Sequence, residues 1–262
     1  MRVVSWNVNS LRRRLPRVLG LLERHEPDLL CLQETKVSDD EFPHQDFHDA
    51  GWEAVVHGQR TYNGVAMVHR RGEQLEDVQR GFPGDPVPEE ARVLVATFRG
   101  VRVANLYVIN GQEVGSEKYE RKLRWLDALQ AWLAEALAPA DPWLLVGDFN
   151  VAPGDEDVWD PEVWRGRIMF SEPEHERLER LMGLGLEDLY RRVHPDGRDF
   201  TWWDYRGGAF HRKHGLRIDL ALGTPPVARR CRDVAVDRDE RKKGAWEVGP
   251  SDHAPLVVDL ED

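Results

Sequence analysis

The sequence predicts a single α/β domain, residues 1–262, in which two packed β-sheets are covered by helices. Strand patterns fall into two groups, and each group is interspersed with helical patterns. A single sheet with so many strands would tend to curl or split, which favours two sheets packed face to face. No linker, internal repeat or low-complexity tract divides the chain. A domain of this length can bury a large core.

The first half of the chain combines one helical pattern with many strand patterns. Residues 3–8 predict the opening strand, and apolar residues then recur at helical spacing from Leu15 to Leu22. The next strands are indicated by β-branched residues between Gly, Asp and Pro. They are predicted at 28–33, 52–57, 65–69, 74–79, 93–98 and 101–109.

The second half contains the longest helical pattern, at 116–138, and Ser116 suits a capped start. A further helix is predicted at 173–184. The remaining strands are predicted at 143–146, 201–203, 217–222, 234–236 and 256–260. These elements complete the two groups of strands.

Composition excludes several classes of protein. A net charge of −11, from 36 Lys and Arg against 47 Asp and Glu, excludes a basic protein that coats DNA. No stretch approaches the 18 apolar residues of a membrane span, and the first residues enter a strand pattern rather than a signal peptide. We therefore expect a cytoplasmic protein without membrane contact. Cys31 and Cys231 lack CxxC spacing, so no disulfide is expected, and Cys31 lies in an apolar run that predicts burial.

Acidic and amide side chains lie at or near the ends of several predicted strands, so one rim of the two sheets could collect them. They are Asn7, Glu34, Asp148, Asn150, Asp219, Asp252 and His253. Crowded carboxylates repel one another, and a hard divalent cation such as Mg²⁺ holds them together through oxygen ligands. The rim therefore predicts metal-dependent phosphoryl or phosphodiester chemistry.

Each position also has a structural interpretation. Glu34 alone could be a turn or helix-capping acid, and the segment 148–150 could be an Asx turn. Ser251 precedes Asp252 and His253, but the chain has no Gly-x-Ser-x-Gly elbow, so a serine hydrolase is not predicted. His44 and His48 are interpreted as surface histidines, and the acidic run 155–157 as a solvated loop.

Seven short motifs follow one another along the chain. They are Ser5-Trp6-Asn7-Val8-Asn9, Leu32-Gln33-Glu34-Thr35-Lys36, Tyr62-Asn63-Gly64-Val65-Ala66, Gly147-Asp148-Phe149-Asn150, Thr201-Trp202-Trp203-Asp204-Tyr205-Arg206, Gly215-Leu216-Arg217-Ile218-Asp219 and Ser251-Asp252-His253-Ala254-Pro255. In this order they resemble the exonuclease III family of abasic-site endonucleases, over essentially the whole chain. The Gln-Glu, Gly-Asp-x-Asn and Ser-Asp-His elements occur throughout the wider endonuclease, exonuclease and phosphatase superfamily. The Trp-Trp-Asp-Tyr-Arg and Leu-Arg-Ile-Asp elements are more specific.

The resemblance implies a four-layer α/β sandwich, with two mostly antiparallel sheets flanked by helices. It implies Mg²⁺-dependent hydrolysis of the phosphodiester 5′ to abasic sites in duplex DNA, leaving a 3′-hydroxyl, with 3′→5′ exonuclease and 3′-end trimming activity. Mn²⁺ is expected to substitute for Mg²⁺. The expected partner is double-stranded DNA with abasic sites or blocked 3′ ends, and the expected state is a monomer.

The resemblance also implies roles for individual residues. Glu34 would be the principal Mg²⁺ ligand with Asn7 close by, and Asp252 would lie near a second metal position. Asp148 would activate or hold the attacking water and Asn150 would orient it or contact the phosphate, both beside the metal. Tyr107 would sit against the leaving oxygen or the phosphate. His253, polarised by Asp219, would donate a hydrogen bond or charge to the scissile phosphate.

An acidic protein that binds DNA must confine its positive charge to one face. The expected DNA contacts are Arg12, Asn110, Arg206, Arg212, Lys213 and Arg217, and the expected apolar wall of a pocket for a flipped, baseless sugar is Trp202, Trp203, Leu216 and Ile218. The aromatic residues could instead belong to the core.

The chain departs from the family pattern at two positions. Ile109 stands where proline is common, and Lys213 where asparagine is frequent, which leaves the balance between endonuclease and exonuclease action open. Two alternatives are a related phosphodiesterase acting on RNA or small phosphodiesters, and a non-catalytic DNA-binding relative. The second would be expected to have lost one of the acidic or histidine positions, and all are present.

Overall fold

Two six-stranded β-sheets pack face to face in a computed structural model that describes residues 1–244 and 246–261. The twelve strands are β1 (Arg2–Asn7), β2 (Leu29–Gln33), β3 (Trp52–His57), β4 (Val65–Arg70), β5 (Glu76–Arg80), β6 (Val93–Phe98), β7 (Val101–Tyr107), β8 (Trp143–Asp148), β9 (Glu187–Asp188), β10 (Asp219–Gly223), β11 (Cys231–Val236) and β12 (Leu256–Leu260). The first sheet has the order β11-β12-β1-β2-β4-β3 and the second β5-β6-β7-β8-β10-β9. The predicted pair of packed sheets is confirmed.

Helices cover the two outer faces. They are α1 (Leu11–His25), α2 (His44–Asp49), α3 (Glu117–Ala136), α4 (Pro161–Trp164), α5 (Glu172–Met182), α6 (Leu189–Val193), α7 (Ala209–Arg212) and α8 (Pro225–Arg230). Apolar residues of α1 and α2 pack on the first sheet, and those of α3 and α5 on the second. With the apolar layer between the sheets, this gives the expected four-layer sandwich. None of the described helices is long and apolar enough to cross a bilayer.

Local sequence explains where the two long helices of the second sheet begin. The Ser116 hydroxyl accepts a hydrogen bond from the Tyr119 amide, which confirms the predicted cap of α3. Ser171 and Glu174 form a reciprocal capping box at the start of α5. Each of these helices lies within two residues of its predicted bounds.

Most of the predicted strands are present, with one exception at 201–203. Trp202 there forms only isolated bridges, to Leu216 and to His253, and the segment lies outside both sheets. The strand pattern of aromatic residues was misleading, because these side chains pack around the end of a sheet rather than along it. The short elements α2, α4, α6, α7, α8 and β9 were not predicted, since each is six residues or fewer. Cys31 is buried and no disulfide is formed among the described residues, as expected.

Strand direction brings the ends of several strands to one rim. β1 pairs with β2 in parallel, and β7 with β8, so all four end at the same edge of the sandwich. β10 is antiparallel to β8 and begins where β8 ends, with Asp219 opposite Asp148. All the other strand pairs are antiparallel, so the sheets are mixed but mostly antiparallel.

Candidate active site

Three adjacent strands of the second sheet place three of the predicted site residues side by side. Tyr107, at the end of β7, lies opposite Asp148, at the end of β8, and Asp148 lies opposite Asp219, at the start of β10. Asp148 and Asp219 are almost completely buried. The rim predicted from strand-end positions therefore exists, and its carboxylates lie close to one another.

Asn7 connects the first sheet to this group. Its amide Nδ2 donates to Glu34 Oε1 and to Asp148 Oδ2, each at 2.8 Å. Glu34 directly follows β2 and has a φ of 50°, in the left-handed region that non-glycine residues rarely adopt. This turn brings the Glu34 carboxylate over the rim, where it shares the Asn7 amide with a carboxylate of the other sheet.

His253 lies between the two buried aspartates. Its Nδ1 is 2.8 Å from Asp219 Oδ2, and its Nε2 is 3.7 Å from Asp148 Oδ2. Burial of the ring opposes its charging, but Asp219 and Asp148 outweigh that effect and raise the pKa of His253. Burial, together with the Asp219 and Glu34 charges, raises the pKa of Asp148, whereas His253 opposes the rise.

The turn after β8 is held by Asn150. Its backbone amide donates to Asp148 Oδ1 at 2.9 Å, and its Nδ2 donates to the Val108 carbonyl at 2.9 Å. Its Oδ1 accepts from Asn110 Nδ2 at 2.9 Å. Asn150 has a φ of 50°, which asparagine tolerates better than most residues. The Asx turn considered for this segment is present, and it also orients Asp148.

Tyr107 is buried under a cation. The Arg92 guanidinium lies 4.8 Å from the ring centroid. Burial, and then the neighbouring Glu34, raises the pKa of the Tyr107 hydroxyl well above its ordinary value. Tyr107 is therefore a neutral phenol that can donate a hydrogen bond.

Asp252 closes the other side of the site. Its Oδ1 accepts from Asn9 Nδ2 at 2.9 Å, and its Oδ2 accepts from Trp202 Nε1 at 3.1 Å. The backbone amide of Asn9 donates to Asn7 Oδ1 at 3.0 Å, so Asp252 is connected to the central group. Both Asp252 oxygens already accept from protein donors, and its carboxylate is connected to Glu34 indirectly, through Asn9 and then Asn7 or Lys36.

The four residues expected to line a sugar pocket differ in exposure. Trp202 is half-buried at the surface, whereas Leu216 and Ile218 have no accessible surface and pack beneath it with Phe170. Trp203 is only 1 % exposed and packs edge-on against Phe210, so it belongs to the core. Trp202 is the one of the four that a ligand can reach directly.

Arg12, Arg206, Arg212 and Lys213 are exposed, and Asn110 is half-buried at the rim beside Asn150. Arg12 forms an ion pair with Glu41 at 3.2 Å. Lys213 has a φ of 62°, a backbone conformation that asparagine accommodates more readily than lysine. These basic side chains remain available to an anionic ligand.

Arg217 is corrected from a DNA contact to a structural residue. Its side chain is 1 % exposed and pairs with Asp157 and Asp188, each at 2.7 Å. Asp157 is also corrected, since it lies buried between Arg217 and Arg191 rather than in a solvated loop. Because two buried carboxylates already neutralise this guanidinium, it is not available to bind a polyanion.

Sequence reasoning missed several supporting residues. Lys36 donates to Asn9 Oδ1 at 2.6 Å and pairs with Glu34 at 2.8 Å. The Thr201 hydroxyl accepts from the Asp219 amide at 3.0 Å. All lie inside the quoted motifs, so proximity to a motif acid was the available signal.

Comparisons with known proteins agree with this arrangement. The profile of the endonuclease/exonuclease/phosphatase family matches residues 4–253. The exodeoxyribonuclease III of Haemophilus influenzae is 34 % identical, and the alignment covers 100 % of both chains.

Two solved proteins are more similar still. The NExo protein of Neisseria, described as a 3′ phosphatase bound to a product DNA hairpin, superposes with a TM-score of 0.94 at 43 % identity over 100 % of both chains. An AP endonuclease from Archaeoglobus fulgidus superposes with a TM-score of 0.93 at 38 % identity, again over 100 % of both chains.

Proposed function

The chain belongs to the endonuclease/exonuclease/phosphatase family and to its exonuclease III branch, and from this premise we propose how it acts as a DNA repair nuclease. It hydrolyses the phosphodiester 5′ to abasic sites in duplex DNA in the presence of Mg²⁺, leaving a 3′-hydroxyl, and it trims blocked 3′ ends. The observation that carries the proposal is the hydrogen-bonded group in which Asn7 joins Glu34 to Asp148, beside the His253–Asp219 pair.

The donor set fits a hard divalent cation. Glu34 and Asp148 each place a carboxylate oxygen 2.8 Å from the same Asn7 nitrogen, and buried Asp219 Oδ1 has no hydrogen-bond partner. Clustered oxygen donors are what Mg²⁺ prefers. Glu34 would hold the ion, with Asn7, Asp148, Asn150 and Asp252 around it. When bound, the ion neutralises charge on the phosphate and on the departing oxygen.

Asp148 accepts the proton of the attacking water. Its raised pKa makes it a stronger base than an ordinary carboxylate. The Asn7 amide and the Asn150 backbone amide each donate to one of its oxygens, which fixes the direction of the carboxylate. Lone pairs on the same two oxygens remain to receive the water proton.

His253 supplies positive charge to the phosphate. The Asp219 carboxylate holds Nδ1 and stabilises the imidazolium, which leaves Nε2 as a donor. Tyr107 offers a second donor from its neutral phenol, and Asn150 with Asn110 offers amide groups on the same side. Donors fixed where negative charge develops lower the barrier without reorganisation.

Abasic selectivity is assigned to the surface around Trp202. Its indole is fixed by Asp252 and rests on the buried Leu216 and Ile218. A nucleotide without a base costs less to extrude from a duplex, and an apolar wall accepts the bare sugar. The exposed Arg12, Arg206, Arg212 and Lys213 would hold flanking phosphates. A monomeric state and a cytoplasmic location belong to the same proposal.

A second candidate is an enzyme that acts mainly at 3′ ends. The similarity to the NExo protein, 43 % over the whole chain, favours it. The same metal and histidine groups would then remove a 3′ phosphate or a 3′ nucleotide, and internal abasic sites would be poor substrates.

One cleavage experiment separates the candidates. Three labelled duplexes are compared, one with an internal tetrahydrofuran, one with a 3′-phosphate and one undamaged, each with Mg²⁺ or EDTA. Wild type is compared with Glu34→Ala and with Glu23→Ala, an exposed matched control on α1. Metal-dependent incision 5′ to tetrahydrofuran that only Glu34→Ala abolishes supports the first proposal. Reaction only at 3′ ends supports the second, and no reaction by folded wild type overturns both.

A further inference from the structure

A basic pocket lies beside the active-site rim. It has a volume of about 330 Å³ and is lined in part by Tyr205, Phe210, His211, Arg241, Lys242 and Lys243. One carboxylate, Asp204, is also among its lining residues. Lys242 and Lys243 are exposed at the pocket. In a chain of net charge −11, such a concentration of cations needs an explanation.

Arg241 is the unusual member. Only 6 % of the residue is exposed, yet its buried Nε has no hydrogen-bond partner. Its Nη2 donates to the Trp203 carbonyl at 3.2 Å, and the guanidinium lies 5.0 Å from the Phe210 ring. Within the described part of the chain, no carboxylate lies within 4.0 Å of it.

Three other buried arginines, Arg17, Arg92 and Arg217, have anionic partners. Arg17 pairs with Glu240 at 3.1 Å, and Arg217 pairs with Asp157 and Asp188. A buried charge without a counterion is costly. Arg241 has no carboxylate in contact, and only the more distant Asp252 charge offsets its burial, so an anion in the pocket would lower the cost further.

Arg14 places a second guanidinium behind the pocket wall. It is also buried, its Nε is also unpartnered, and its Nη2 donates to the Tyr205 hydroxyl at 3.0 Å and to the Pro250 carbonyl at 3.1 Å. The Tyr205 ring lies 5.4 Å from the Arg241 guanidinium. Tyr205 therefore contacts both cations and forms part of the pocket wall.

Two connections join the pocket to the active site. Pro250, in the pocket wall, is followed by Ser251 and Asp252. Arg14 also donates to the carbonyl of Asn9, whose side-chain amide donates to Asp252. The pocket therefore adjoins the Asp252 side of the rim.

We propose that the basic pocket binds one phosphodiester of the DNA strand that is not the reacting phosphate. Guanidinium groups and lysines recognise phosphate by charge-assisted hydrogen bonds. The proposal rests on the proposed DNA nuclease function and adds to it a binding subsite with Arg241 as the central ligand. Lys242 and Lys243 at the pocket surface contribute the long-range attraction.

The test measures the salt dependence of DNA affinity in EDTA, where hydrolysis is prevented. Arg241→Met keeps the packing of the side-chain stem, and a Lys242→Gln/Lys243→Gln variant changes only exposed residues. Arg124→Gln/Arg229→Gln, two exposed arginines on α3 and α8, is the matched charge control. We expect the slope of log affinity against log salt to fall by about 0.9 for each lost phosphate contact. The control should have the wild-type slope.

A series of duplexes, each with one neutral methylphosphonate, identifies the phosphate. One neutral linkage away from the reacting position should weaken wild-type binding about tenfold or more. The same linkage should leave the affinity of Arg241→Met unchanged, because the contact is already lost. If wild type and Arg241→Met respond equally to every neutral linkage, and if their slopes of log affinity against log salt are equal, the pocket is not a DNA subsite.

Inorganic phosphate alone is the third arm. Stabilisation of wild type against heat by phosphate, absent in Arg241→Met, combined with no methylphosphonate effect would assign a free-anion site and overturn the DNA proposal. Cleavage of the same duplexes with Mg²⁺ distinguishes a failure of the pocket proposal from a failure of the proposed nuclease function. Normal cleavage with unchanged slopes contradicts only the pocket, whereas absence of cleavage by wild type contradicts the proposed function.

Discussion

The imidazole of His253 and the carboxylate of Asp219 form a hydrogen bond of 2.8 Å in a site where the two side chains are 5 % and 0 % exposed. Asp219 begins β10, and His253 lies in the loop before β12, so the bond joins an end of the second sheet to a loop of the first. The other carboxylate oxygen of Asp219, Oδ1, has no hydrogen-bond partner. The pair therefore fixes the ring and its charge through one oxygen.

Asp219→Asn should lower the single-turnover rate by about 10²–10³, because a neutral amide no longer stabilises the imidazolium that faces the phosphate. The rate is measured on labelled tetrahydrofuran and 3′-phosphate duplexes with saturating Mg²⁺. Asp46→Asn, an exposed residue on α2, is the control and should have the wild-type rate. A rate for Asp219→Asn within threefold of wild type would contradict the role of the pair.

Asn7→Ala should weaken Mg²⁺ binding about 10- to 100-fold, since the amide that holds Glu34 and Asp148 in position is lost. A Mg²⁺ titration of cleavage activity measures the shift, and the rate at saturating Mg²⁺ is compared separately. If the titration midpoint is unchanged while the maximal rate falls, Asn7 acts on the chemical step instead.

Particular residues show which features of the site could be predicted from the sequence and which could not. Asp148 and Asp219 could be placed together because both lie at or near strand ends, and strand direction determines which edge they reach, whereas Tyr107 was placed only by the family resemblance. Arg217 could not be judged, because its partners Asp157 and Asp188 are 60 and 29 residues distant in sequence and only the fold brings them together. The environment of Arg241 could not be predicted, since nothing in its own segment indicates that it is buried without a carboxylate partner.

Arg217→Met should destabilise the protein by about 3–5 kcal/mol, because Asp188 and Asp157 are left buried without their common cation. Its DNA affinity at low temperature should keep the wild-type salt slope. Arg212→Met provides the reciprocal control: the residue is exposed, so stability should change by less than about 0.5 kcal/mol while the slope falls by about 0.9. Urea unfolding and fluorescence binding measure the two effects. A reduced slope for Arg217→Met would restore it as a DNA contact.

Asp237 should make stability depend on pH. Burial disfavours its charge, but the bond from His25 at 2.7 Å and the nearby Arg24 outweigh burial and lower its pKa below 3.8. A depressed carboxyl pKa gives stability that is present above pH 3.8 and is lost as the pH falls through the lower folded value. Asp237→Asn should therefore unfold more easily than wild type at pH 6, and the difference should vanish at strongly acidic pH. Urea titrations across this range measure it, and an equal difference at every pH would contradict the account.

Gly147→Ala should damage both stability and activity. Gly147 has a φ of 141°, and a Cβ built there would lie 1.9 Å from the carbonyl oxygen of Leu106 on the neighbouring strand. Because β7 is held in register with β8 on both sides of this point, the strands must separate to admit the methyl group. Asp148 is the next residue, so the displacement reaches the proposed base of the reaction. Gly154→Ala is the matched control: its Cβ would meet no atom closer than 3.7 Å, and its unfolding midpoint should equal that of wild type. An unfolding midpoint for Gly147→Ala equal to that of the control would show that β7 and β8 separate at no cost, and the close approach of these strands would then have no part in holding Asp148.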